Sequence, residues 1–389
     1  MVATVTDEQF AARELVRDWA RNTTSGPGGT AAIREVEQGG IDAWRPVFAR
    51  LADLGIFGVA VPEDAGGAGG SIEDLCAMVE EAAKALVPGP VATTALASLV
   101  VSDPELLAEL ASGARFAGVA LDADVEFDSA KAQASGTAAF VSGAAAGGVL
   151  VLPAGGQWLL VDTNSDGVQV EPLQAADFSR PLARVVLNSA PASVLEASGK
   201  RVEELAATVL AAEAAGVTRW SLETAVAYAK VREQFGKPIG SFQAIKHLCA
   251  EMLCRAEQAE VAAADAARAA ADPEPDQFSI AAALAASTGI AAAKANVKDC
   301  IQVLGGIGCT WEHDAHLYLR RAHSIGQLLG GAERWLRRIT ALTQDGVRRR
   351  LSIDLTEVEG QRPEIAAAVA EIAALPHEKR QVALAEAGL

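Results

Sequence analysis

Arg232-Glu233-Gln234-Phe235-Gly236-Lys237-Pro238-Ile239-Gly240-Ser241-Phe242-Gln243-Ala244-Ile245-Lys246-His247 is the stretch on which the reading of this 389-residue chain turns. It sets an arginine beside a Gly-Lys-Pro break, and a guanidinium fork next to a turn can hold a diphosphate through paired hydrogen bonds. Downstream, Gln302-Val303-Leu304-Gly305-Gly306-Ile307-Gly308 offers paired glycines, whose missing Cβ lets backbone amides come close to a ligand. Each segment also has a plainer reading. The first could be a helix C-terminus and the second a tight turn between packed helices.

On both sides of these segments, from Arg201 onward, the sequence is long, helical and alanine-rich, with Lys237-Pro238 and Pro273-Glu274-Pro275 as breaks. Upstream, residues 113–197 change texture. Short apolar runs such as Val149-Leu150-Val151-Leu152 and Trp158-Leu159-Leu160-Val161 alternate with Gly, Asp, Asn and Pro turns, which predicts a small β domain. Before that, helical spacing covers 7–21, Ala43 to Leu54, and Ile72 to Leu110, the last interrupted at Pro88-Gly89-Pro90. Ser71 is the expected N-cap of its helix, with Glu73 and Asp74 in the first turn. The glycine run 66–70 lacks the Lys and the preceding strand of a phosphate loop and reads as a turn.

The expected fold is therefore mainly α with a central small β domain. Its segments are an N-terminal helical domain (1–112), the β domain (113–197), a C-terminal helical bundle (198–345) and a helical tail (346–389).

Half of the residues are apolar, enough for a large core, and 33 basic against 50 acidic side chains give a formal charge of −17. That charge repels phosphate backbones and anionic lipid, so neither nucleic acid nor a membrane is expected as a partner. Charges within the first twenty residues argue against a signal peptide, and a cytoplasmic location is expected. The five cysteines have no C-x-x-C spacing and are read as buried thiols. Glu312, His313, Asp314 and His316 crowd a short segment, but a metal needs three or four convergent ligands and a second shell. That segment is read as a polar helix start.

Together, the two opening segments resemble the acyl-CoA dehydrogenase flavoproteins. Leu51-Ala52-Asp53-Leu54-Gly55-Ile56-Phe57-Gly58-Val59-Ala60-Val61-Pro62-Glu63, Asp177-Phe178-Ser179-Arg180 and the run from Tyr228 to His247 extend the likeness over roughly residues 8 to 345. The resemblance implies three domains: helical, β, and a C-terminal four-helix bundle. It implies an FAD enzyme in which a glutamate takes the α proton of an acyl-CoA while the flavin accepts the β hydride. It also implies ADP-side contacts to an FAD held mainly by a neighbouring subunit, carried here by Arg232, Gln234, Phe235, Gln243, Gln302, Gly305 and Gly306. Electron-transfer flavoprotein is the redox partner it implies.

The chain departs from the family where the base belongs. Leu329 stands at one base position, and Ala206 at the alternative one on the first long helix of the bundle. Neither accepts a proton. Glu203 and Glu204 read as exposed helical glutamates, and Glu213 is the remaining substitute base. The β region shows neither the Thr-Glu-Pro-type nor the Trp-x-Thr-type strand that meets the flavin ring and thioester. No catalytic residue is assigned.

Retained clamp and missing base match chains of actinobacterial heteromeric acyl-CoA dehydrogenases, associated with steroid side-chain CoA thioesters. The expected function is that of a subunit or module contributing FAD contacts to a partner's site, active as part of a complex. The alternatives are a self-sufficient homo-oligomer with an unusual base and a flavin-free structural paralogue; the tail resembles the opening helices of a second dehydrogenase module and reads equally as an amphipathic helix packing on a neighbour.

Overall fold

A computed structural model describes residues 7–24, 28–350, 360 and 362–386, and divides them into two compact units, Met1–Arg348 and Arg349–Leu389. The first begins with helices α1 (Asp7–Thr24), α2 (Gly28–Glu37), α3 (Arg45–Ala52), α4 (Ile72–Lys84), α5 (Val91–Ser98) and α6 (Pro104–Ala111). Their ends follow local chemistry. Ser71 caps α4 by accepting from the Asp74 amide at 3.1 Å, while the Asp74 carboxylate accepts from the Ser71 amide at 2.8 Å. Asp103 caps α6 ahead of Pro104, a second break inside the segment read from sequence as helical to Leu110.

The glycine run is a turn closed on its own backbone. The amides of Gly69 and Gly70 donate to Val61 and Val59 carbonyls at 2.9 and 2.8 Å, and a Cβ at Gly67 would lie 2.1 Å from the Val61 oxygen. Those amides are spent internally, so no phosphate cradle exists there.

Eight strands then form one sheet: β1 (Ala117–Val119), β2 (Asp124–Asp128), β3 (Gln133–Ser142), β4 (Val149–Ala154), β5 (Gln157–Asp162), β6 (Val168–Pro172), β7 (Leu182–Pro191) and β8 (Ser193–Val194). The order is β6-β7-β3-β1-β4-β5-β8 with β2 beside β3, and β1 runs parallel to β4. Alternate residues of β3, β4, β5 and β7 make a separate core around Leu150, Leu152, Leu159 and Leu187.

The bundle follows: α7 (Gly199–Val231), α8 (Gln243–Ala269), α9 (Pro275–Leu304), α10 (Ala315–Leu328) and α11 (Ala332–Gln344). Alanine and glycine set its close packing. A Cβ at Gly216 of α7 would fall 2.1 Å from the Glu80 carbonyl oxygen of α4, so the two backbones meet where only glycine fits. Helix α9 is long and apolar enough to cross a membrane by composition. However, 67% of its most apolar window is buried inside the unit, as befits a core helix. The second unit holds α12 (Arg362–Ala374) and α13 (His377–Glu386). The observed layout is the helical, β and bundle arrangement expected from sequence.

All five cysteines are free, but only Cys76 and Cys300 are buried. Cys249 is half-buried while Cys254 and Cys309 are exposed, which corrects the expectation of five buried thiols. Polar helix surfaces accommodate a small side chain such as cysteine without a packing partner.

Candidate functional site

The C-terminus of α7, the following hairpin and the end of α9 enclose an open depression of about 430 Å³. It is lined by Tyr228, Arg232, Gln234, Ile239, Val303, Leu304, Gly305, Gly306 and Ile307. The hairpin pairs β9 (Glu233–Gln234) with β10 (Lys237–Pro238). Its two-residue turn has Phe235 at φ +53° and Gly236 at φ +76°, the left-handed pair of a tight β-hairpin turn. Glycine reaches that geometry freely, whereas a phenylalanine there is strained and is carried to the tip, 93% exposed.

On the facing side α9 ends at Gly305, at φ +65° and ψ −138°, and a 3-10 turn runs over Gly305–Cys309. No atom outside the neighbouring residues lies within 4 Å of a Cβ built on Gly305 or Gly306. Two consecutive residues thus present bare backbone to the depression.

Of the seven residues expected to meet a cofactor, Arg232, Gln234, Gly305 and Gly306 converge on this depression. Phe235 stands at the hairpin tip. Exposed Gln243 opens α8, its amide 2.7 Å from the His247 ring nitrogen, and Gln302 is exposed on the last turn of α9. None of these three lines the depression. The sequence reading missed its apolar floor of Ile239, Val303, Leu304 and Ile307, which only the meeting of two distant segments creates. An exposed guanidinium, an apolar floor and Cβ-free backbone suit the adenosine diphosphate end of a dinucleotide.

Ala206, one of the two sequence positions for a base, lies elsewhere, and Leu328, the residue before the other, shares its cavity. Ala206 and Leu328 line one cavity with Ala92, Thr93, Leu96, Val119, Leu121, Val209 and Leu210, and Leu329, beside Leu328, is fully buried. That cavity measures about 10 Å³, room for roughly one water molecule. No acyl chain fits it, and no group lining it accepts a proton.

Glu213 is on the same face of α7, one turn beyond Val209 and Leu210, and it is not a free base. Its Oε1 accepts from Arg180 at 2.7 Å and from Arg321 at 2.6 Å, all three side chains being at most 5% exposed. Arg321 also donates to Ser179 Oγ at 2.8 and 2.5 Å, Arg180 donates to Asp177 at 3.2 Å, and Ser179 donates to Asp177 through a short bond. Two carboxylates and two guanidiniums make a neutral buried knot joining the β-domain loop, α7 and α10.

Burial by itself pushes the Asp177 carboxyl up, yet Arg321 and Arg180 hold it below the ordinary carboxylate range. Two guanidiniums engage one Glu213 oxygen inside this knot, so the side chain is tied into the fold instead of standing free as the substitute base expected from sequence. Glu204, expected to be exposed, is 4% exposed and accepts from Arg338 at 3.3 Å. Arg338 comes from α11, packed against the bundle, so that helix rather than solvent covers Glu204.

Among the described residues no group of His, Cys, Asp and Glu could hold a metal ion. Asp314 precedes α10 and is bound by Arg34 at 2.8 Å, and the His313 Nδ1 accepts from the Ala315 amide at 3.1 Å. The polar segment serves as a helix start.

A helical domain, a curled sheet and a helical bundle, with an open depression at the end of the long helices, define an acyl-CoA dehydrogenase-type architecture. The chain belongs to the acyl-CoA dehydrogenase family. The family's N-terminal domain matches residues 6–110 and its C-terminal domain residues 204–343. Members of this family are FAD flavoproteins.

The chain is 76% identical, over its whole length, to the acyl-CoA dehydrogenase FadE34 of Mycobacterium tuberculosis, and spans 55% of that protein. It is 35% identical to the acyl-CoA dehydrogenase IpdE2 of the same organism, over 84% of this chain and 96% of that one. A variant of the Tcur3481-Tcur3483 steroid ACAD superposes with a TM-score of 0.79 at 28% identity, covering 88% of this chain and 99% of its own.

Proposed function

We propose that this chain is a partner-dependent module of an acyl-CoA dehydrogenase that closes the ADP end of an FAD held mainly by a neighbouring chain. The single observation that carries the reading is a contrast. The depression around Arg232 and Gly306 is open, whereas the cavity beside Ala206 and Leu328 is closed to about 10 Å³ and Leu329 is fully buried.

In this reading Arg232 donates to the diphosphate, the amides near Gly305 and Gly306 approach it without Cβ interference, and Ile239 and Ile307 cover the adenosine. Phe235, Gln243 and Gln302 meet the cofactor from the rim once the neighbouring chain is docked. FAD, where bound, supplies the hydride acceptor. The carboxylate that takes the α proton of the acyl-CoA belongs to the neighbour, because this chain offers leucine and alanine there. Steroid side-chain CoA thioesters are the substrate class, a reading supported by the likeness to a steroid ACAD. Electron-transfer flavoprotein then drains the flavin, and the assembly works in the cytoplasm.

The test is purification of the chain alone and with an acyl-CoA dehydrogenase partner. Flavin absorbance and acyl-CoA desaturation are expected only in the complex. Stoichiometric FAD and turnover in the isolated chain would overturn the proposal. So would an active complex whose FAD leaves at the same rate after Arg232→Ala, or a complex without flavin.

A further inference from the structure

Helices α9 and α10 lie against one another, and their solvent-facing groove collects positive charge without a counter-charge. Lys294 and Lys298 stand on successive turns of α9, and His323 stands on α10, one turn before Gly326. Gly326 is where the two helices touch through a lysine. A Cβ there would lie 2.6 Å from the Lys294 Nζ and 2.8 Å from its Cε. Glycine inside a helix costs about 1 kcal/mol relative to alanine, and at 326 it gives Lys294 room to lie flat against α10 beside His323.

Among the described residues, none of the three basic groups makes an ion pair or a hydrogen bond. The adjacent acid, Asp299, is taken by Arg255 from α8. Arg320, one turn earlier on α10, is occupied by the Ala176 carbonyl and the rings of Phe178 and Trp311. Burial, then Lys294 and Lys298, lower the proton affinity of His323, as expected of cations facing one another. In a chain of net charge −17, nearby cations normally find carboxylates, so their repulsion here goes unrelieved.

We propose that this groove is a binding site for a phosphoryl dianion, held by Lys294, Lys298 and His323. Two compact ammonium groups and one ring N–H are separate point donors, which suits a tetrahedral group with several acceptor oxygens. A carboxylate carries one negative charge against two ammonium groups, whereas a phosphoryl dianion matches both. The proposal concerns the outer face of α9 and α10 and is independent of the flavin reading.

The histidine side chain reports on it directly. The full chain, labelled with ¹⁵N, is titrated at pH 7 with inorganic phosphate against sodium chloride of equal ionic strength, His323 being assigned through His323→Asn. Expected is a saturable shift of the His323 ring nitrogens towards the imidazolium form, with a Kd on the order of 1 mM. Lys294→Gln and Lys298→Gln each weaken binding about tenfold. Gly326→Ala weakens it several-fold with no change of charge, because it lifts Lys294 off α10. A parallel titration with ribose 5-phosphate identifies the source, since tighter binding of the monoester points to a phosphorylated metabolite and tighter binding of phosphate to the free anion. A response equal to that in chloride, or one unchanged in the lysine variants and in Gly326→Ala, overturns the proposal.

Discussion

Replacing Arg321 by methionine tests whether the buried charges at Glu213 serve the fold rather than chemistry. Methionine keeps an unbranched stem of similar length and removes only the guanidinium. The wild-type group, 2% exposed, donates to Glu213 at 2.6 Å and to Ser179 at 2.8 and 2.5 Å, and lies 3.2 Å from Asp177. Its loss leaves Asp177 and Glu213 facing Arg180 alone, a net buried charge of about −1 in place of zero.

Each charge-assisted hydrogen bond is worth about 1.5–3 kcal/mol, and breaking a buried ion network by removing one partner costs about 3–5 kcal/mol. With a urea m-value of about 3 kcal/mol/M for a unit of this size, the midpoint should fall by about 1 M or more. The control, Arg21→Met, breaks an exposed i,i+3 pair with Asp18 and should cost at most about 1 kcal/mol. A cycle with Glu213→Gln should return a coupling of about 1–3 kcal/mol. A midpoint within about 0.2 M of wild type, at unchanged m, would refute the view that this network clamps the β-domain loop to α7 and α10.

Arg232→Ala should speed FAD loss from the complex about ten- to a hundredfold, as read from flavin fluorescence on dilution, while the urea midpoint stays put because the side chain is exposed. Gly306→Ala should leave stability within about 0.5 kcal/mol, yet weaken FAD retention in the same assay. Asp177 has a folded-state pKa below its unfolded value, so its contribution is fully present above about pH 4 and is lost as pH falls through the folded value. Asp177→Asn should therefore be destabilised at neutral pH and show a flatter acid limb in urea midpoints measured from pH 7 to 3. Leu329→Glu should cost on the order of 3–5 kcal/mol without giving activity, because an unpaired carboxylate would enter a sealed apolar site; acyl-CoA desaturation by that variant alone would contradict the closed cleft.

The α, β, α order was legible because its signals are local. Ser71 with Asp74, Pro88-Gly89-Pro90, and the glycines between short apolar runs each act within a few residues. Four of the seven residues expected at the clamp line one depression for the same reason, since two short segments carry them. What escaped is non-local. Arg180, Glu213 and Arg321 lie 33 and 108 residues from one another, and each alone reads as a surface charge on a helix or loop. Glu204 looked exposed because the cation covering it, Arg338, is 134 residues away. Gln243 and Gln302 were grouped with the depression by motif, but the geometry at the helix ends leaves both outside its lining.

The two halves of the site differ in what the fold asks of them. Filling a cleft with leucine stabilises a protein by about 1.5–3 kcal/mol per side chain buried, and fully buried Leu329 contributes to the fold in this way. Nothing comparable holds Gly306 in place. Its φ is not in the left-handed region, and no atom would crowd a Cβ there. Alanine would be free of strain and would restrict the unfolded chain, a change usually worth about 0.4–1 kcal/mol in stability. A glycine that neither packing nor backbone geometry requires, facing an open depression beside an exposed arginine, fits the role proposed for it, in which a ligand comes closer to the backbone than a methyl group would allow.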